Sequence, residues 1–213
     1  MTIAIVKDLR GRFGVARDQR ERPTCIAFAI SDAHSAVRGQ TDPLSVEHLY
    51  YHAVQRSAKP DPDAGVTFAD ILTALRDDGQ CAEPGWPYLD VLPSDIAQWT
   101  PPATAQPLFT RDSERPATSV DAIIENLDND RAVVVGLRLG ERFYDPVSGV
   151  IDVGPDDNDT TYHAVIGVGY GTMGAKRAIY VRNSWGEDWG ENGYAWVTEE
   201  YLDARLFLLA RLT

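Results

Sequence analysis

His163-Ala164-Val165-Ile166-Gly167-Val168-Gly169 and, a short connection later, Ala178-Ile179-Tyr180-Val181-Arg182-Asn183 are dense in Val, Ile and Tyr, and both runs read as β-strands. Working outward, residues 132–139 and 194–197 carry the same signature, so everything after Asp130 reads as strand. The first half of the chain reads differently. From Cys25 to Gly39 the apolar residues Ile26, Phe28, Ile30, Ala33 and Val37 recur close to a 3.6 period, with Thr24 placed as N-cap and Cys25 in the first turn. A second helix is expected from about Ser45 to Ser57. A third is opened by the capping box of Thr67 and Asp70 and stopped by Gly79, and a short fourth runs from Ser119 to Leu127, opened by Thr118 and Asp121. Prolines 93, 101, 102, 107 and 116 break any helical pattern between Val91 and Ser119, which reads as a long surface crossover. Helices first and strands afterwards imply an α+β fold with segregated layers rather than alternating βαβ units.

The chain has 213 residues, enough for one domain with a sizeable core, and its 44% hydrophobic content argues against disorder. A formal charge of −12 argues against a nucleic-acid partner, because no clustered positive face offsets phosphate repulsion. No window approaches the ~18 apolar residues of a membrane span, and the first residues lack the h-region of a signal peptide. A cytoplasmic protein with no membrane partner is the expectation. Two cysteines, Cys25 and Cys81, allow at most one disulfide and exclude a disulfide-stapled scaffold.

Gln19, Cys25, His163 and Asn183 are the residues whose types point to chemistry. A thiol at a helix N-terminus faces unpaired backbone N–H groups and the positive end of the helix dipole, which favours thiolate. An imidazole paired with it supplies the proton acceptor and, later, the acid for a leaving group. A carboxamide oxygen can orient that imidazole without adding charge.

Three blocks carry a resemblance. Asp18-Gln19-x5-Cys25-Ile26-Ala27-Phe28 is followed by Tyr162-His163-Ala164-Val165-x-Gly167-Val168-Gly169-Tyr170-Gly171, and then by Arg182-Asn183-Ser184-Trp185-Gly186-x-x-Trp189-Gly190-Glu191-x-Gly193-Tyr194. Together they resemble the papain family of cysteine peptidases, and the Cys25-to-His163 separation falls within the roughly 130–150 residues typical of it. Gly79-Gln80-Cys81-x-Glu83-x-x-Trp86-Pro87-Tyr88 and Ser148-Gly149-Val150-Ile151 are similar to a prokaryotic branch of that family. The likeness extends from about Lys7 to Leu202.

The resemblance implies a single two-subdomain domain: a helical left half (about residues 8–115), a β-barrel-like right half (about 116–213) and an active-site cleft between them. It implies Cys25 as nucleophile, His163 as its proton-exchanging partner and Asn183 as the residue that orients the imidazole. Trp185 would shield the His163–Asn183 hydrogen bond and border the substrate. Gln19 would donate to the oxyanion beside the backbone N–H of Cys25. Gly65, Val66 and Phe68 on one wall and Val135 and Ala164 on the other would line an apolar substrate pocket. The implied function is cysteine endopeptidase, with polypeptide substrates, no cofactor and no metal. Restraint would fall to an inhibitor or regulatory protein in place of a pro-segment, unless a pro-segment has been removed. The alternatives are a transamidase or glutamine deamidase using the same site, and a non-catalytic binding module that has kept the fold.

The family pattern Cys-Gly-Ser-Cys-Trp reads Arg22-Pro23-Thr24-Cys25-Ile26 here, so the half-cystine that braces the nucleophile loop in that family is replaced by arginine. Arg17, Arg20 and Arg22 are read as a solvated loop, and Cys81 as a packed thiol. His34 is placed within a helix, and His48 and His52, spaced i, i+4, are read as a surface pair rather than metal ligands. Asp156-Asp157-Asn158-Asp159 is read as a solvated acidic loop overhanging the cleft, since it lacks the glycine and glutamate of a calcium loop. Gly167-x-Gly169-x-Gly171 is not a dinucleotide fingerprint, because no helix follows it.

Overall fold

A computed structural model describes residues 3–154 and 161–213. The acidic run 156–159 lies outside the described residues. The chain divides into two units: Gln19–Ser113 with Leu212–Thr213, and Met1–Asp18 with Glu114–Arg211. The expected boundary near 115 is close to this division. Residues 8–18, expected with the helices, belong instead with the strands.

The first unit is helical. α1 (Cys25–Val37) is buried from Ile26 through Ser35, so it has no solvent face over most of its length. Thr24 occupies its N-cap, but the hydroxyl makes no capping bond; its Oγ1 lies 2.8 Å from the Tyr88 hydroxyl instead. α2 (Val46–Arg56) starts where the Ser45 hydroxyl accepts from the His48 N–H at 3.0 Å. α3 (Phe68–Asp77) starts where Thr67 accepts from the Asp70 N–H at 3.2 Å. It ends at Gly79, whose φ of +69° suits glycine and whose N–H reaches the Ala74 carbonyl at 2.9 Å. Phe28, Ile30, Leu49, Tyr50, Ile71 and Leu75 form the apolar core of this unit. The proline-rich stretch is irregular, as expected, but not wholly superficial: Trp99 and Ala105 are buried.

The second unit is built on an eight-stranded sheet: β1 (Ala4–Asp8), β2 (Ser113–Glu114), β3 (Val133–Leu139), β4 (Val150–Ile151), β5 (Thr161–Met173), β6 (Lys176–Arg182), β7 (Tyr194–Thr198) and β8 (Leu206–Leu212). The order is β2-β8-β3-β5-β6-β7-β4, with β1 added to β5. α4 (Val120–Asp128) and α5 (Glu199–Arg205) contribute Ile123, Leu127, Tyr201 and Leu202 to the same core as Val135, Leu137, Val165, Ile179 and Val197. The cap of α4 is Ser119, whose hydroxyl accepts from the Ala122 N–H at 3.2 Å, rather than Thr118. The glycine run on β5 explains why β1 docks there. A Cβ at Gly169 would lie 2.5 Å from the Lys7 carbonyl oxygen, and one at Gly171 would lie 2.6 Å from that of Ala4. Among the described residues, no helix is long and apolar enough to cross a membrane.

Candidate active site

In the helical unit, Cys25 is the first residue of α1 and is half-buried. The seven residues that deliver it form an irregular loop. Arg20 adopts φ +53°, a left-handed conformation that costs a non-glycine residue on the order of 1 kcal/mol. The loop is held from inside. The Arg22 carbonyl accepts from the Gln19 side-chain amide at 2.9 Å and from the Thr24 N–H at 2.8 Å. Tyr88 donates its hydroxyl proton to the Gln19 carbonyl at 2.7 Å, so Thr24 is the donor in its bond to Tyr88. Gln19 is buried.

Arg22 is not solvated. It is buried against fully buried Glu47, with Nη1–Oε2 at 2.7 Å and Nη2–Oε1 at 3.0 Å, and it donates to the Leu89 carbonyl at 2.6 Å. Burial works most strongly against its charge, but the bond to Glu47, the charge of that carboxylate and the nearby Tyr88 and Tyr50 together outweigh it, and the guanidinium stays protonated. The reading of Arg22 as part of a solvated loop is therefore corrected: its two Nη groups bond a buried carboxylate and a backbone carbonyl in place of water. Arg20 is exposed.

In the β unit, His163 sits near the start of β5, and Asn183 follows the last residue of β6 on the adjacent antiparallel strand. Asn183 Oδ1 accepts from the Ser184 N–H at 2.8 Å and lies 2.7 Å from His163 Nε2. An amide oxygen can only accept, so Nε2 carries the ring proton and Nδ1 keeps its lone pair. Burial pushes the His163 pKa down to about 4, against the opposing effect of the Asn183 bond, so the imidazole is neutral at pH 7. Trp185 lies with its ring centroid 4.8 Å from that of His163, and Phe143 lies 5.7 Å away on another side. Tyr144 stacks on Trp185 at 5.3 Å, and Trp189 donates its indole N–H to the Phe143 carbonyl at 3.0 Å. His163 and Asn183 are both buried beside these rings. Phe143 and Tyr144 escaped the sequence reading because they lie in a short 3-10 turn with no periodic pattern.

The expected pocket residues divide. Gly65, Val66 and Phe68 are half-buried in the helical unit, and Gly65 packs on Pro23, with its Cβ position 3.6 Å from the Pro23 carbonyl oxygen. Ala164 lies on the face of β5 opposite to Val165, against Gly136 of β3. Val135 is a correction: it is fully buried in the core of the β unit, opposite Val165 and Leu209, and presents no surface to a substrate.

The remaining candidates lie elsewhere. Cys81 is buried, and burial pushes its thiol pKa up. His48 is not on the surface: it is buried, with Nδ1 3.2 Å from the Gly79 carbonyl. His52 is half-buried near Asp78. Among the described residues, no group of three His, Cys, Asp or Glu side chains is placed to hold a metal.

A family model described as papain family cysteine protease matches residues 93–204, which include His163 and Asn183. Cysteine protease 1 of Oryza sativa subsp. japonica is 68% identical over 34 residues, 15% of this chain and 7% of that protein. Chymopapain of Carica papaya is 53% identical over 47 residues, 22% of this chain and 13% of that protein. The chain thus spans only a small part of these curated relatives. Solved structures match over nearly the whole chain. Xylellain, a cysteine protease from Xylella fastidiosa, gives a TM-score of 0.81 at 23% identity, covering 99% of this chain and 87% of that one. The Carica candamarcensis cysteine protease CMS1MS2 gives a TM-score of 0.72 at 23% identity, covering 97% and 96%. At such identity the structural likeness speaks for the fold alone.

Proposed function

The chain belongs to the papain family of cysteine proteases, and from that premise we propose that it is a cysteine endopeptidase working through an acyl-enzyme on Cys25. The observation that carries this reading is the His163–Asn183 bond, which leaves a neutral imidazole with Nδ1 as the proton acceptor. In the proposed reaction Nδ1 takes the Cys25 thiol proton while sulfur attacks the peptide carbonyl carbon. The resulting oxyanion accepts hydrogen bonds from the Cys25 backbone N–H and the Gln19 amide. On collapse the C–N bond breaks, and the imidazolium returns the proton to the departing amine. Water, deprotonated by the same nitrogen, then cleaves the thioester and releases the acid.

Substrates on this reading are polypeptides, with Gly65, Val66 and Phe68 of the helical unit and Ala164 and Trp185 of the β unit as the candidate contacts. We place the protein in a prokaryotic branch of the family and in the cytoplasm, restrained by a separate inhibitor or regulatory protein. The absence of a bracing half-cystine at position 22 suits a reducing compartment.

A thiol-directed epoxide should label Cys25 stoichiometrically and abolish cleavage of a peptide substrate, and Cys25→Ala should fold but turn nothing over. Cleavage surviving in Cys25→Ala would refute the assignment. Incorporation of a labelled primary amine without backbone cleavage would instead mark a transamidase.

A further inference from the structure

The loop that presents Cys25 is strained at Arg20, lies outside any helix or strand and lacks a covalent brace, yet it must hold two hydrogen-bond donors in fixed positions. The contacts that hold it converge on one residue. Through its carbonyl, Arg22 fixes the Gln19 amide and the Thr24 N–H. Through its side chain it is anchored by a two-pronged bond to Glu47 and a bond to the Leu89 carbonyl. The Tyr88 ring lies beneath the guanidinium, 5.0 Å from it, and the Tyr88 hydroxyl holds the Gln19 carbonyl. Glu47 is in turn fully engaged: besides Arg22 it accepts from the Trp99 indole N–H at 2.6 Å and the Leu89 N–H at 3.0 Å.

We propose that Arg22, held by Glu47, is a positioning residue that sets the oxyanion donors Gln19 and the Cys25 N–H, a non-covalent brace for the nucleophile loop. A buried ion pair is a poor choice for stability alone, since an apolar pair of similar volume often serves as well. What a planar fork with fixed donor directions adds is geometry. The guanidinium fixes the orientation of the residue whose carbonyl aims Gln19, and that carbonyl also accepts from the residue before Cys25. The inference rests on the peptidase reading only in naming the donors' task.

The test compares Arg22→Lys and Glu47→Gln with wild type by kcat and KM on a peptide substrate, thermal midpoint, and the rate of Cys25 alkylation by iodoacetamide. Lysine keeps the charge but not the fork, and glutamine keeps the shape but not the charge. Alkylation needs the thiol and no oxyanion donors. The expected result is a fall in kcat of about tenfold or more with KM and the alkylation rate within about twofold of wild type. In a Gln19→Ala background the further effect of Arg22→Lys should shrink to about threefold or less, because the two act in series. A kcat within about twofold of wild type in both variants overturns the proposal. So does a parallel fall of kcat and alkylation rate that tracks the thermal midpoint, which would mark a purely structural pair. If wild type alkylates at Cys25 but cleaves no peptide, the peptidase reading fails; the Gln19 and Thr24 amide signals in NMR still decide the brace, shifting in Arg22→Lys if it stands and unmoved if it does not.

Discussion

Behind Cys25 the helical unit keeps Arg22, Glu47, His34, His48 and Gln80 out of water, whereas behind His163 the β unit packs Phe143, Trp189, Tyr201 and a band of Val, Leu and Ile. The difference follows from the backbone each half must support. His163 leaves a strand whose neighbours already satisfy its N–H and C=O groups, so apolar packing suffices around it. The Cys25 loop has no ladder, and its buried backbone groups need side-chain partners. Elsewhere in the helical unit, Gln80 bonds the Ser31 hydroxyl and the Ser45 carbonyl, both at 3.1 Å, and His34 at 2.9 Å. The β unit uses the same device where it too carries irregular chain: buried Arg182 donates to the Gly14 and Val15 carbonyls at 2.9 and 2.7 Å. In both units a buried arginine thus bonds the carbonyls of irregular chain: Arg22 that of Leu89, and Arg182 those of Gly14 and Val15.

The comparison breaks most readily at Arg22. Arg22→Ala strands Glu47 as an unpaired buried carboxylate and should cost about 3–5 kcal/mol of stability together with most of the activity, read by chemical denaturation and peptide turnover. Ile123→Ala, in the apolar core of the β unit, should cost about 2–4 kcal/mol but leave kcat nearly intact at a temperature where the protein is folded. Equal losses of kcat in the two variants would dissolve the distinction. Asn183→Ala should lower kcat by about 10- to 100-fold, since it removes the acceptor that fixes the His163 tautomer but leaves nucleophile and base in place.

A last contrast works through pH. Burial holds His34, His48 and His163 down at about 4, from an ordinary value of 6.5, and holds His52 below that value as well. Each therefore binds its proton more readily in the unfolded chain. Stability should be full above about pH 6.5 and fall as the pH drops toward 4, by about 2 kcal/mol for each of the three most buried histidines by pH 5. Of the four, only His163 lies in the β unit. A His34→Gln, His48→Gln double variant should lose much of the slope of stability against pH measured between pH 7 and 5. An unchanged slope would show that acid acts elsewhere.

Much of the fold was legible because its signals are local. Thr67 caps the helix it was expected to cap, and Gly79 ends α3 through its positive φ. β1, β2, β4, α5 and β8 were not foreseen. β4 spans two residues, α5 spans seven, and the run 206–212 shows no alternation, so none rises above its background. β1 exists because Gly169 and Gly171 let its backbone approach β5, which no reading of residues 4–8 reveals. Of the candidate residues, Cys25 at the head of α1 and the His163–Asn183 pair were legible from residue type and order. Glu47 was not, although a carboxylate between Val46 and His48 in a helix with an apolar face was a signal that it needed a partner.

The sequence by itself determined the order of elements, most of their ends and the identity of the chemical groups, because periodicity, caps and turns act over a few residues. The tertiary structure decided which of those groups lie out of water, which nitrogen of His163 holds the proton, that Val135 belongs to a core rather than a pocket, and that Arg22 is answered by Glu47. Those properties depend on the dielectric and partner geometry supplied by segments distant in the chain, and no local pattern encodes them.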